Sequence, residues 1–364
     1  MKLHEIPTPA LLLDLERFEA NLSLMRGAVS AAGKRLRPHA KAHKCVDVAR
    51  RQIAYGAAGM CVATVPEAEL FASAGIHDIL LTSPLASPEK IRRMALLAVT
   101  IPELKMVIDH PEQLALYEAA AAETGVRLNL LVDLDCGDHR TGIPPDERAE
   151  RLVEQIVASP HANFAGLQAY SVKASHVHGF AERLRYSHEA LAPAIRLKHR
   201  LAAKGIPVPV LTGGSTGTYN IDTQLPDFDE IQAGSYAFMD LDYLRIGSNG
   251  AERFRDFAPS LSVLATVVSK SHDDLATVDA GFKSFATDRG FCPQPLEIEG
   301  VEYRWAGDEF GILHLRQPSA PVELGTRIEF LVPHCDPTVN LHRHIYVCRY
   351  GAVEAVWPIM ELPC

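Results

Sequence analysis

Short apolar runs alternate with helix-like stretches along the chain as far as about residue 245. That alternation restricts the possible folds more than any other feature of the sequence. The strand-like runs are Ala10–Leu13, Leu36–His39, Gly59–Ala63, Asp78–Thr82, Leu104–Ile108, Leu128–Leu134, Phe164–Tyr170, Val208–Thr212 and Glu230–Ala233. Between them lie stretches such as Leu15–Ala31, Val65–Ala74, Pro111–Thr124, Ala149–Ala158 and Ala181–Ala203, several of them rich in Ala, Leu, Glu and Arg with apolar residues at helical spacing. Repeated strand–helix units predict a parallel sheet covered by helices. About eight such units in roughly 200–250 residues suit a closed (β/α)8 barrel better than an open sheet.

Beyond about residue 255 the texture changes. Short strands are expected at Leu261–Val268, Leu275–Asp279, Val301–Trp305, Ile312–Leu315, Arg327–Val332, His344–Arg349 and Ala352–Trp357, separated by Gly, Pro and Asp turns. The expected organisation is therefore α/β: a TIM barrel over residues 1–255 and a smaller β-rich domain over 256–364, with the first few residues free to join the β domain. A chain of 364 residues is long enough for two such cores.

Composition narrows the function classes. The formal net charge of −9 leaves no basic stripe for a nucleic acid. The apolar runs are strand-sized and broken by charge, so no membrane span is expected. The opening MKLHEIPTPALLLDL lacks the apolar core and small-residue cleavage site of a secretory signal. Seven cysteines (Cys45, Cys61, Cys136, Cys292, Cys335, Cys348 and Cys364) form no CxxC pair, and an odd set of scattered thiols fits the reducing cytoplasm.

Arg37-Pro38-His39-Ala40-Lys41-Ala42-His43-Lys44 crowds cationic and imidazole side chains at the end of a predicted barrel strand. A solvated basic strand end is the plain alternative. In a barrel, however, strand ends of this kind build the active site. A partly desolvated lysine among other cations has its ammonium form disfavoured and becomes a better amine nucleophile toward an aldehyde. TPALLLDL followed by RPHAKAHK resembles the D-threonine aldolase and D-serine dehydratase branch of the alanine-racemase-like (fold type III) pyridoxal enzymes, and the resemblance extends over nearly the whole chain. It implies that Lys41 carries pyridoxal 5'-phosphate as a Schiff base, and that the α/β fold is a PLP-binding (β/α)8 TIM barrel, the alanine-racemase-like N-terminal domain, followed by a C-terminal β-rich domain.

The run Thr212–Tyr219 follows a predicted strand, and its small residues allow backbone N–H groups to approach an anion. Alone, a glycine-rich turn is a weak signal; late in a barrel it stands where phosphate sites recur. Gln232–Asp240 resembles the family's GSYxFMD element. The resemblance assigns the cofactor phosphate to Gly214, Ser215, Thr216, Gly234, Ser235 and Tyr236. Leu131–Gly142 matches VDxDxGxxRxG, which implies Arg140 beside the pyridine ring; an arginine paired to Asp133 or Asp135 is the structural alternative. Gly166–Tyr170 resembles the GLQAY strand end, which brings Gln168 and Tyr170 to the cofactor. Ungapped alignment past it puts His176 on the family's proposed catalytic base. Ser171–Ser175 departs from the family's usual loop, and His178 is a rival.

Near the C-terminus, Pro333–Asn340 follows an apolar run. In a strand-like segment His334 and Asp336 point the same way and offer an imidazole and a carboxylate to Mn²⁺, Mg²⁺ or Zn²⁺. A His334–Cys335 pair would need a bent backbone and would favour Zn²⁺. The run HCDPTVN matches the family, whose dehydratases usually carry cysteine at the Asp336 position, so aspartate leans toward an aldolase. Glu309-Phe310-Gly311 replaces the usual Glu-His-Gly, and Ala63 replaces a common polar residue.

Together these readings predict metal-assisted retro-aldol cleavage of a D-configured β-hydroxy amino acid in a cytoplasmic homodimer, each site completed by the partner's β domain, as the resemblance implies. The rival within the family is a dehydratase acting on D-serine, D-threonine or a 3-hydroxyaspartate; racemisation would leave the metal pair without a task. A non-catalytic pyridoxal-phosphate carrier would lack the second domain, and a non-enzymatic metal-binding protein would leave Lys41 and the glycine turns unexplained.

Overall fold

Proline and capping residues open the helices where the sequence places them. In the computed structural model, which describes residues 2–360, Thr64 accepts from Glu67 N at 3.4 Å and Ser87 from Lys90 N at 3.4 Å, each just before a helix with proline in its first turn. These caps satisfy backbone donors that a helix start leaves open. The chain divides into two compact units. Among the described residues, one runs from Met25 to Gly234; the other joins residues 2–24 to residues 235–360. The texture change near residue 255 falls inside the second.

The Met25–Gly234 unit carries eight parallel strands: Arg35–Leu36, Met60–Val62, Ile79–Leu81, Lys105–Ile108, Leu128–Leu134, Ala162–Ala169, Leu211–Gly213 and Glu230–Ile231. The strand Glu230–Ile231 pairs with both Arg35–Leu36 and Leu211–Gly213. The remaining seam is closed by Ala58 N to Leu36 O and Cys61 N to Pro38 O, both 2.8 Å, with a parallel bridge between His39 and Cys61. The sheet is thus a closed barrel. Cys61, Leu80, Val107, Leu131 and Val210 form one apolar cluster across neighbouring strands.

Polar side chains hold the closing seam. Arg37 is 3% exposed and its Nε donates to Glu230 at 2.9 Å while its other nitrogens grip Asp78 at 2.9 and 3.0 Å. Burial of such a guanidinium is tolerable only because both carboxylates compensate it.

The second unit is built on a nine-stranded sheet. Strands Val301–Trp305, Gly311–Leu315, Leu275–Val278, Leu261–Ser269, Ala10–Asp14, His344–Arg349 and Ala352–Pro358 follow one another across it, and Arg327–Leu331 joins Leu261–Ser269 to Gln294–Pro295. Expected strands after residue 255 lie within about a residue of the observed ones; Gln294–Pro295 is additional. Ala10–Leu13 read as the first strand of the alternating series, yet Ala10–Asp14 pairs antiparallel with Leu261–Ser269 and parallel with His344–Arg349. Ala10–Leu13 are buried in succession, so on both faces, and a continuous apolar run is compatible with any doubly covered strand. Pairing partners, not pattern, decide its sheet.

Phe285 is enclosed by Tyr303, Trp305 and Phe330 at 5.8–6.2 Å between ring centroids. Six of the seven cysteines are free thiols, and Cys364 lies outside the described residues. Among the described residues no helix is long and apolar enough to cross a membrane.

Candidate active site

The chain leaves the strand Arg35–Leu36 through Arg37, Pro38 and His39 into a 3-10 turn, Ala40–Ala42, that carries Lys41. His39 Nδ1 accepts from Lys41 N at 3.3 Å, and its Nε2 lies 3.0 Å from Thr82 Oγ1. Lys41 is half-buried. Its cationic neighbours are compensated. Arg37 is engaged by Glu230 and Asp78, and the buried Lys44 lies 3.9 Å from the buried Glu67 carboxylate. The crowd of positive charge read from the sequence is therefore balanced by acids from distant strands and helices.

Gly234 packs directly on this turn. A Cβ there would sit 2.8 Å from His39 O and 3.4 Å from the Ala42 Cβ, so only glycine allows the approach. Gly214, Ser215 and Thr216 follow the strand Leu211–Gly213. Gly214 has φ +70°, and a Cβ would meet Asp222 Oδ2 at 2.8 Å. Ser215 and Thr216 are buried.

Inside the barrel a polar chain crosses the strands. Gln168 Nε2 donates to Asp133 Oδ1 at 2.8 Å and to Thr82 O at 3.0 Å, while Thr141 Oγ1 donates to Asp133 Oδ2 at 2.9 Å. Gln232 Nε2 donates to Gln168 Oε1 at 3.3 Å and Thr212 Oγ1 at 3.1 Å, and Thr212 donates to Glu230 at 3.0 Å. Burial pushes the Asp133 carboxyl up to about 6, against the bonds from Gln168 and Thr141 that favour its ionised form.

Arg140 is exposed, with its guanidinium carbon 5.4 Å from the centre of the Tyr170 ring. Neither aspartate of the alternative reading holds it in an ion pair: Asp135 binds His139 at 2.6 Å, and Asp133 is taken by Gln168 and Thr141. His176 is half-buried at the end of a short helix, Val172–His176, whereas its rival His178 is exposed. Ser171 caps that helix at Ala174 N, 3.2 Å, and the Asp138 carboxylate accepts from Val172 N.

In the second unit, Ser235 and Tyr236 lie on the turn Ser235–Ala237. Ser235 Oγ donates to Asp336 Oδ1 at 3.3 Å, and the buried Tyr236 packs on Phe257 at 5.7 Å. The strand-like reading of 334–336 is corrected. His334 is extended, but Cys335–Val339 is a short helix with Asp336 in its first turn, closed by Thr338 Oγ1 to His334 O at 2.7 Å. Pro337 suits a helix start, where its missing N–H costs nothing. Asp240, fully buried, accepts from Cys335 N at 2.9 Å. His334 Nδ1 lies 2.7 Å from Asp288 Oδ2. Burial pushes the Cys335 thiol up, helped by Asp240 and Asp336, and it donates to Asp336 Oδ1 at 3.2 Å. The thiol supports the carboxylate and offers no thiolate. Phe310 stands 46% exposed just before the strand Gly311–Leu315.

Two family models match successive parts of the chain. A family model described as "Alanine racemase, N-terminal domain" matches residues 13–242, and one described as "Putative serine dehydratase domain" matches 260–348. The chain is 37% identical to a D-threonine aldolase of Arthrobacter sp over 98% of its own length and 93% of that protein. It is 35% identical to a 3-hydroxy-D-aspartate aldolase of Paracoccus denitrificans over 98% and 92%. The chain belongs to the alanine-racemase-like pyridoxal enzymes. Among solved structures of these enzymes, D-threonine aldolase from Filomicrobium marinum aligns with a TM-score of 0.94 at 34% identity, covering 99% of this chain and 96% of that one. D-threo-3-hydroxyaspartate dehydratase from Delftia sp. HT23 aligns at 0.87 and 29%, covering 99% of each.

Membership in the alanine-racemase-like enzymes frames what the sequence could not supply. Thr82, Asp138, Thr212, Asp222, Gln232, Asp240 and Asp288 hold the candidate residues either directly or through a neighbouring residue. None lies in a spacing pattern with the residue it supports. Only the neighbourhood of Gln232 and Asp240 with the GSYxFMD-like element carries a local signal.

Proposed function

We propose that the chain is a lyase that cleaves a D-β-hydroxy amino acid, D-threonine or a D-3-hydroxyaspartate, to glycine and an aldehyde, using pyridoxal 5'-phosphate and a divalent metal ion. What supports this most is one juxtaposition: the Lys41 turn packs on Gly234 in the same closed barrel that carries the Gly214–Thr216 turn. Relatives covering nearly the whole chain are aldolases.

The donor chemistry of the candidate residues suits both groups: an amine and small-residue turns for the cofactor, an imidazole and a carboxylate for the metal. Lys41 would hold the cofactor, Gly214, Ser215, Thr216 and Gly234 would receive its phosphate, and Arg140, Gln168 and Tyr170 would flank its ring; Ser235 and Tyr236 remain candidates on the family pattern. A glycine that closes on the lysine turn and another at φ +70° suit a close backbone approach to an anion. His334 and Asp336 would hold the ion. One imidazole and one carboxylate would leave most positions to water and substrate oxygens, as hard ions such as Mn²⁺ and Mg²⁺ accept. When bound, the cofactor would supply an electron sink for the bond cleaved at Cα, and the metal would lower the pKa of the β-hydroxyl. His176 takes the β-hydroxyl proton, and Lys41 orients the amino-acid carbon and returns a proton to it. Membership in a homodimer and a cytoplasmic location go with this reading.

The test is product identification with D-threonine, pyridoxal phosphate and Mn²⁺. Glycine plus acetaldehyde is expected. 2-Oxobutanoate plus ammonia would replace the aldolase reading with the dehydratase one.

A further inference from the structure

Behind the glycine turn the barrel unit buries a chain of hydroxyls that ends on a carboxylate. Ser187 Oγ on the helix Phe180–Ala203 lies 2.5 Å from Asp222 Oδ1, and Thr218 Oγ1 lies 2.5 Å from Asp222 Oδ2. Thr218 Oγ1 accepts from Ser215 N at 3.1 Å and lies 3.0 Å from Ser215 Oγ. All four residues are at most 5% exposed. The groups facing Asp222 are Ser187 from the long helix, Thr218 and the Gly214 backbone from the turn, and the Cys136 thiol, which feels its charge from the loop after Leu128–Leu134. Arg183, one turn before Ser187 on the same helix, is a fully buried cation; it donates to Gly217 O at 2.8 Å and Val177 O at 2.9 Å.

Each hydroxyl has one proton to give, so the direction of the chain is set at its end. With Asp222 ionised, Thr218 donates to it, and Ser215 must donate to Thr218. Ser215 then shows the turn only lone pairs. With a proton on Asp222 Oδ2 the carboxyl donates to Thr218, Thr218 donates to Ser215, and the Ser215 proton is released toward the turn. Ser187 donates to Oδ1 in both cases.

We propose that Asp222 is a positioning residue for the anion held by this turn: it takes up one proton as the cofactor phosphate binds, and so turns Ser215 into a donor to that phosphate. The proposal rests on the reading that pyridoxal phosphate docks on the Gly214–Thr216 turn. Burial pushes the Asp222 carboxyl up to about 6, against the bonds from Ser187 and Thr218, which brings the protonated form within reach of neutral pH.

The test is the dissociation constant of pyridoxal phosphate from cofactor-stripped protein, followed by fluorescence between about pH 5 and pH 8, for wild type, Asp222→Asn and Ser215→Ala. In D222N the amide carbonyl accepts from Ser187 and the NH₂ donates to Thr218, which reproduces the protonated pattern at every pH. The wild-type constant divided by that of D222N should rise above about pH 6, by up to about tenfold per pH unit. Ionisation of the cofactor itself cancels in that ratio. S215A should bind roughly tenfold more weakly at low pH, where its charged hydrogen bond is lost, and approach wild type at high pH. A flat ratio, with S215A still weaker, overturns the proton relay and leaves the phosphate on the turn. Equal binding by S215A and wild type at every pH overturns the docking reading itself. Should D222N not fold, Thr218→Val cuts the chain between Asp222 and Ser215. The same rise in the wild-type-to-variant ratio is expected for T218V, and a flat one refutes the relay.

Discussion

His334 Nδ1 sits 2.7 Å from Asp288 Oδ2, so one ring nitrogen of the candidate metal ligand is held by a carboxylate forty-six residues earlier in the chain. Such a contact fixes the ring's orientation and tautomer and makes the other nitrogen a better donor to a metal. Asp288→Ala should therefore raise the Mn²⁺ concentration needed for half-maximal effect by about 10–100-fold. Titrating metal-stripped protein by calorimetry checks this, and an unchanged affinity would show that Asp288 is only a surface neighbour.

Arg37 and Glu230 meet at 2.9 Å and are 3% and 2% exposed at the side chain. Removing one partner strands a charge in the barrel seam. Arg37→Ala should cost about 3–5 kcal/mol of stability, as for other broken buried pairs. Urea unfolding of the cofactor-free protein measures it; a loss near that of an exposed pair would contradict the account.

Asp133 links pH to stability. Burial raises its carboxyl from the ordinary 3.8 to about 6 in the fold. The raised group leaves stability whole below about pH 4 and removes it as pH climbs through about 6, by up to roughly 3 kcal/mol. Asp133→Asn should lose this part of the slope between those two values. Asp222, raised to about 6 as well, keeps its own share in that variant. Unfolding curves at a series of pH values test the claim, and parallel slopes for variant and wild type would reject it.

Lys41 lies half-buried on a turn whose backbone is held by His39 and Ala40. Lys41→Ala should leave the fold intact but abolish the long-wavelength absorbance that pyridoxal phosphate acquires on a lysine amine. Retention of that band would move the attachment to another residue.

The barrel was legible because its strands and helices differ in period. The runs around Leu128–Leu134 and Phe164–Tyr170 announce their elements locally. So do the short strands after residue 255. The misplacement of Ala10–Leu13 has a physical cause: four consecutive apolar residues fill any strand with both faces covered, and they say nothing about its neighbours. The His334–Asp336 segment failed for a different reason. Two-residue alternation holds only while the backbone stays extended, and Pro337 and Thr338 turn it into a helix immediately after His334.

The candidate residues divide in the same way. Lys41, Gly214, Ser215, Gly234, His334 and Asp336 stand in contiguous motifs and can be read from a string of letters. Their supports cannot. Asp222 reaches Thr218 within one turn but meets Ser187 from thirty-five residues away, and Glu230 meets Arg37 from one hundred and ninety-three. By itself the sequence determined the alternation of elements, the barrel class, and the short motifs whose chemistry is local. The tertiary structure alone decided which strands pair and which buried charges are compensated, because pairing and desolvation depend on groups that only folding brings within a few ångströms of each other.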